Sequence, residues 1–245
     1  MTDSCSISFV FPVHNEEQLL AATAQRVVER LGSMPGSELI MVENGSTDGS
    51  PELTRTLARD LSSGAVAVRA AQCEKGMGNA WRTGIGLATA DLIVLTAADL
   101  PFDFSDLDAA LALQPRPSVV LGSKAHPDTY MEHTLMRRVM SWGFRVLRSR
   151  MFESDVGDSQ GTVLIDRALA QQLLPQLRST GFFISTEIVV LAADAGFPPT
   201  EVPVVYRPSG RESTVRPFHD AWAMLQAMRE LRDRRKQSGA SSPRA

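Results

Sequence analysis

Cysteine is nearly missing from this 245-residue chain. Cys5 and Cys73 are too few for a disulfide framework or a thiolate metal cluster. Their scarcity points to a reducing compartment. Charge of one sign is also lacking: the net charge is −3, so no global field directs the chain to nucleic acid. No run approaches the ~20 apolar residues that span a bilayer. Any meeting with a membrane is therefore expected at its surface. The polar N-terminus shows no basic region followed by an apolar core, so no secretory signal is expected. His14, His126, His133 and His219 have no ligand spacing, and no internal repeat is visible.

What is present is an alternation of short apolar runs and helical patterns. The run Leu92-Ile93-Val94-Leu95 stops at Asp99, Pro101 and Asp103 and reads as a buried strand. Ligands of open α/β sheets bind at the carboxyl ends of such strands. Earlier strands are expected at Ile7 to Val13, Leu39 to Val42 and Ala65 to Val68. Helices are expected from Leu20 to Leu31, Pro51 to Leu61, Ala80 to Ala88 and Phe104 to Leu113. Asn15 suits an N-cap, and Glu16 and Glu17 suit the positive end of a helix. Further strands are expected at Val119 to Leu121, Thr162 to Ile165 and Val202 to Tyr206. Helices are expected over Tyr130 to Arg150, Arg167 to Leu177, Ser185 to Ala195 and Phe218 to Lys236. The pattern predicts an α/β fold, a mostly parallel sheet with helices on both faces, whose polar loops gather on one edge.

Several loops carry chemistry. Glu43 to Ser50 offers two acceptors, Glu43 and Asp48, beside Gly45 and Gly49, or else forms an ordinary strand-to-helix turn. Lys75-Gly76-Met77-Gly78 sets a cation and free N–H groups where a phosphate can bind, or is a surface turn. Asp99 and Asp103 are spaced like metal or ribose ligands. Asp103 is the better helix cap, and Asp99 the better ligand. Arg137, Arg138, Arg145 and Arg148 are interleaved with apolar residues, as in a surface for an anionic lipid-like acceptor, a dimer face or a solvated face. Asp158 and Glu187 are each either a general base or a hydrogen-bonded structural acid.

In their order, four motifs resemble the family 2 glycosyltransferases of the GT-A (Rossmann-like) fold. They are Phe11-Pro12-Val13-His14-Asn15-Glu16-Glu17, Glu43-Asn44-Gly45-Ser46-Thr47-Asp48-Gly49-Ser50, Lys75-Gly76-Met77-Gly78-Asn79-Ala80 and Ala97-Ala98-Asp99-Leu100. Gly122-Ser123-Lys124, Arg137-Arg138 with Ser141, Asp158-Ser159-Gln160-Gly161, Glu187 and Val202-Pro203-Val204 extend the likeness. The chain is most similar to the dolichyl- or polyprenyl-phosphate mannosyl- and glucosyltransferases. The expected organisation is a GT-A domain over 1–217, a C-terminal helix over 218–236 and a disordered tail over 237–245.

The resemblance implies inverting transfer of a hexose from a nucleotide-sugar donor, GDP-mannose or UDP-glucose, to a polyprenyl phosphate. Pro12, Asn15, Glu17, Glu43, Asp48, Lys75 and Asp99 would bind the donor, with Asp99 at a Mg²⁺ or Mn²⁺ ion. Arg137, Arg138, Ser141, Arg211 and Ser213 would bind the acceptor. Asp99, Asp158 and Arg138 would act at the reacting centre. The family usually has an aspartate where this chain has Ala97, often a polar residue at Pro101, and an acidic pair at Glu43-Asn44. Weakened or differently built metal binding is therefore expected. The two other readings are a soluble transferase with a small-molecule or glycan hydroxyl acceptor and a catalytically weak nucleotide-sugar-binding protein. The expected location is cytoplasmic, peripheral at the inner face of the membrane. A homo-oligomer is an open possibility, through the helix from Tyr130 or the terminal helix.

Overall fold

A computed structural model describes residues 5–62, 64–129, 161–206 and 217–237, the last segment as backbone only up to residue 223. The strands are β1 (Ile7–Val13), β2 (Glu38–Glu43), β3 (Ala67–Gln72), β4 (Leu92–Leu95), β5 (Val119–Ser123), β6 (Val163–Asp166) and β7 (Thr200–Pro203). The helices are α1 (Leu20–Leu31), α2 (Ser50–Asp60), α3 (Met77–Leu87), α4 (Ser105–Ala112), α5 (Arg167–Leu173), α6 (Ile184–Asp194) and α7 (Pro217–Gln237). A 3₁₀ turn, Leu174–Gln176, follows α5.

The strands form one sheet in the order β3-β2-β1-β4-β6-β5-β7. The pairs β1–β2, β1–β4, β2–β3 and β5–β7 are parallel, and β6 runs antiparallel between β4 and β5. The period of two in the strands decides which face each side chain enters. Phe9, Phe11, Leu39, Met41, Leu92 and Val94 pack with α1, α2 and α4. Val10, Ile40, Val42, Ile93 and Leu95 pack with α3, α5, α6 and α7, the last through Met228 and Leu231. Both faces are covered, so β4 is buried at every residue and reads as an unbroken apolar run.

Local expectations are corrected in four places. Asn15 does not cap α1: it lies at φ 57°, and a turn in which Glu16 O accepts the N–H groups of Leu19 and Leu20 precedes the helix. Asp103 does not cap α4. Its N–H bonds to Leu100 O, its φ is 56°, its carboxylate pairs with Arg26 of α1, and Phe104 is the cap residue. The edge strand β3 runs later than its apolar residues indicate, because its register on β2 carries it to Gln72. Beyond Pro203 the strand stops, because the N–H groups of Val204 and Val205 turn to the hydroxyls of Thr129 and Ser105. The expected helix over Tyr130 to Arg150 and the tail after Gln237 lie outside the described residues.

Candidate active site

The parallel strands β3, β2, β1 and β4 are neighbours, so the loops after their carboxyl ends lie side by side along one edge. The topology thereby gathers Lys75, Glu43 with Asp48, Asn15 with Glu17, and Asp99 there. Pro12 sits on β1 beside Val42, half-buried.

The first two loops are sewn together by side chains. Asn15 Oδ1 accepts the Thr47 N–H at 2.7 Å, and the Asn15 and Glu16 N–H groups donate to the hydroxyls of Ser46 and Ser50. Glu17 Oε2 accepts the Gly49 N–H at 3.0 Å. A Cβ at Gly49 would stand 2.5 Å from the Glu17 carboxylate and would displace that side-chain tip from the Gly49 N–H. Asp48 accepts N–H groups from Ser50 and Glu17. Partial desolvation raises the Asp48 pKa, but the bonds from Ser50 and Glu17 outweigh it, so the carboxyl titrates below its ordinary value. Asn15, Glu17 and Asp48 thus shape the edge by holding its backbone.

Glu43 is buried. Its Oε1 accepts the Ser46 N–H at 2.6 Å, while its Oε2 is enclosed with no hydrogen-bond partner among the described residues. Glu43 also lines a cavity of about 150 Å³ with Pro51, Thr54, Arg55, Ala70, Ala71 and Gln72. A buried, unpaired carboxylate oxygen is costly unless a donor fills it. His14 Nδ1, in the neighbouring loop, is likewise buried and without a described partner.

Two features of this edge were not read from the sequence. Asn44 donates from Nδ2 to Val13 O at 3.0 Å and accepts the Gly76 N–H at Oδ1, tying the ends of β1 and β2 to the glycine loop. An amide can do both, and a carboxylate cannot. The second is a line of buried polar groups below the β4 turn. Trp81 Nε1 donates to Thr96 O, Thr96 and Thr162 share a hydroxyl bond at 3.0 Å, and Thr162 reaches the buried Asp106 carboxyl. Burial pushes the Asp106 pKa up, against the hydrogen bonds from Thr162 and Leu107. Nothing in a lone Asp106 within a helical pattern signals that contact.

Lys75 is exposed and stands against Gly45, whose φ of 81° no bulky residue adopts easily. Asp99 is exposed on the turn after β4, between the buried Ala98 and Leu100. Lys124 lies over the rings of Phe102 and Tyr206, 5.5 and 5.3 Å from their centroids. Glu187 is wholly buried and accepts the N–H groups of Arg178 and Ser179, so it is held as a hydrogen-bonded structural acid. Arg137, Arg138, Ser141, Asp158, Arg211 and Ser213 lie outside the described residues.

A divalent ion fits this edge in one mode. Asp103 is engaged by Arg26, and Ala97 offers no ligand. No group of three or more metal-ligating side chains occurs among the described residues. Mg²⁺ and Mn²⁺ do not need such a cage, because one carboxylate, substrate phosphate oxygens and water complete their shell. Asp99, exposed on the turn after β4, is the carboxylate that such a mode would use.

The family model for glycosyl transferase family 2 matches residues 8–174, which span all of these loops up to β6. The chain belongs to glycosyl transferase family 2. Among its curated relatives in the family is the glycosyltransferase AglD of Haloferax volcanii, 28% identical over 210 residues that cover 83% of this chain and 33% of that protein. Another is the dolichyl-phosphate beta-glucosyltransferase of Dictyostelium discoideum, 22% identical over 217 residues, covering 82% of this chain and 66% of that one. The chain thus spans a third to about two thirds of these relatives. Among solved structures, mannosyl-3-phosphoglycerate synthase from Rubrobacter xylanophilus superposes with a TM-score of 0.66 at 15% identity, over 98% of this chain and 77% of that one. Glucosyl-3-phosphoglycerate synthase from Mycobacterium tuberculosis, in complex with Mn²⁺, UDP and glucosyl-3-phosphoglycerate, gives 0.64 at 18% identity, over 93% and 78%. Likeness at that identity fixes the fold of this family 2 chain as GT-A. No helix of the described residues is long and apolar enough to cross a membrane.

Proposed function

We propose that this family 2 chain is an inverting glycosyltransferase that moves a hexose from a nucleotide diphosphate sugar to a polyprenyl phosphate. One observation carries the reading. Adjacent strands deliver, to a single edge, a buried acceptor at Glu43, an exposed cation at Lys75 and an exposed carboxylate at Asp99. These are the groups a nucleobase N–H, a diphosphate and a diphosphate-bound cation need, in that order. The names of the dolichyl-phosphate beta-glucosyltransferase relatives favour a glucosyl over a mannosyl donor, for which we take UDP-glucose, and a lipid phosphate over a hydroxyl.

In this reading the Glu43 Oε2 atom accepts the base N–H, which removes the penalty of its unpaired burial. Lys75 neutralises the diphosphate. Asp99 would hold Mg²⁺ or Mn²⁺, which would supply further charge neutralisation to the leaving diphosphate. The acceptor phosphate is already ionised at neutral pH, so no general base is required. An acceptor oxygen attacks the anomeric carbon in line, the bond from that carbon to the diphosphate oxygen breaks, and the electron pair leaves with the nucleoside diphosphate. The protein's task is alignment and charge. Arg137, Arg138, Ser141, Arg211 and Ser213 are assigned to the acceptor phosphate, with Arg138 and Asp158 at the reacting centre. A lipid acceptor places the chain peripherally at a membrane surface.

The test is a matrix of UDP-glucose and GDP-mannose against a short polyprenyl phosphate and hydroxyl acceptors, with nucleoside diphosphate release as the readout. UDP release that depends on the polyprenyl phosphate is expected. Turnover with a hydroxyl acceptor only would overturn the lipid assignment, and donor binding without turnover would overturn the enzyme.

A further inference from the structure

The helix α6 is buried from Ile184 to Ala192, and Glu187 is its one acidic residue in that stretch. A carboxylate in such a place survives only with full compensation. Glu187 has it. Its oxygens accept the Arg178 N–H at 3.1 Å and the Ser179 N–H at 2.8 Å, and Arg234 of α7 closes an ion pair on Oε1. The second arm of the Arg234 guanidinium donates to Gln176 O at 2.8 Å. One side chain of the C-terminal helix therefore grips the segment 176–179 directly and through Glu187.

That segment is the floor of the Lys75 loop. The Gly78 N–H donates to Thr180 O at 2.8 Å. A Cβ on Gly76 would fall on the Thr180 carbonyl oxygen, and one on Gly78 on the Ser179 carbonyl oxygen. Both contacts are to backbone, which cannot swing aside. Gly76 also has φ 135°, open only to glycine. On its other side the loop is fixed by Asn44 through the Gly76 N–H. Lys75 is therefore set between two supports, and one of them is ordered by α7.

We infer that Arg234 is a positioning residue for the donor: through Glu187 and the backbone of 178–180 it sets the Lys75–Gly78 loop against which a nucleotide diphosphate sugar is bound. This rests on the assignment of Lys75 to the donor in the proposed function. Arg235 provides the internal control, because it joins the same two helices by a bidentate pair with Asp194, at 2.7 and 2.6 Å.

The experiment has two arms on the full chain, run well below the melting temperature of every variant. The first is amide hydrogen exchange of the unliganded protein. In Arg234→Ala, peptides covering 74–80 and 176–181 exchange about tenfold faster, while peptides from α1 are unchanged. Arg234→Lys gives an intermediate rate, since an ammonium cannot span both Glu187 and Gln176 as a guanidinium fork does. Arg235→Ala leaves the 74–80 peptide as in the parent. The second arm is steady-state kinetics with UDP-glucose, in which Arg234→Ala raises the donor KM about tenfold and the acceptor KM less than about twofold. Unchanged exchange at 74–80, equal effects of Arg234→Ala and Arg235→Ala, or faster exchange with an unaltered donor KM would each overturn the inference. A parent chain that turns over no donor defeats the proposed function instead, and the exchange arm still reads the coupling.

Discussion

Asn44 and Gly76 are joined by a hydrogen bond of 3.2 Å, from the glycine N–H to the amide oxygen, across the ends of two strands. The same amide donates to Val13 O at 3.0 Å. Restoring the acidic pair usual in the family, by Asn44→Asp, puts a carboxylate against that carbonyl in a buried position. The variant is expected to lose about 2–3 kcal/mol of stability, read as a shift of the denaturation midpoint. A midpoint equal to the parent's would show that the amide is not the tie.

Two glycines of α3 predict opposite signs for one substitution. A Cβ at Gly84 would run into Val10 Cγ1, a stiff side chain fixed in the central strand, whereas at Gly86 the nearest atom is Leu174 Cδ2 at 3.7 Å. Gly86→Ala should stabilise by about 0.5–1 kcal/mol through helix propensity. Gly84→Ala should destabilise by about 1–3 kcal/mol through overpacking. Thermal melts of the two variants check the pair, and the same sign for both would refute it.

In the proposed function, metal dependence turns on Asp99. Asp99→Asn is expected to lower kcat/KM about 100-fold at saturating Mn²⁺. Ala97→Asp, which supplies the second carboxylate, is expected to lower the Mn²⁺ concentration for half-maximal activity about tenfold. Activity titrations against metal measure both, and full activity in excess chelator would remove the role of Asp99.

Glu38 and Asp106 give opposite pH signatures. Burial raises the Glu38 carboxyl, but hydrogen bonds from Ser8 and Thr89, with Arg69 Nε 3.1 Å away, bring its pKa below the ordinary value. Its contribution is present above the unfolded pKa and is lost as pH falls through the folded one. Burial leaves the Asp106 pKa raised, so its contribution is present below the unfolded pKa and is lost as pH rises through the folded one. Glu38→Gln should cost about 1–2 kcal/mol at neutral pH and flatten the acid limb of the stability profile. Asp106→Asn should flatten the loss on the rising side. Denaturant unfolding at a series of pH values tests both, and parallel profiles for parent and variants would contradict the assignment.

The sequence by itself determined the frame. Short unbroken apolar runs between helical patterns dictate a mostly parallel sheet covered on both faces, and parity along β1, β2 and β4 sends alternate residues to the two cores. It also determined that Glu43 stands at the end of a strand and that Lys75 and Asp99 lie in loops after strands, since each stands where an apolar run gives way to polar residues. Tertiary structure decided what those residues touch. Whether Asp103 caps a helix or meets Arg26, whether Asn15 starts α1 or holds Thr47, and whether Glu187 is free or bound depends on partners far along the chain. The physical reason is that strand and helix periodicity are local, set by backbone geometry over a few residues. A buried carboxylate or amide is defined by hydrogen bonds that form only when distant segments are brought within about 3 Å.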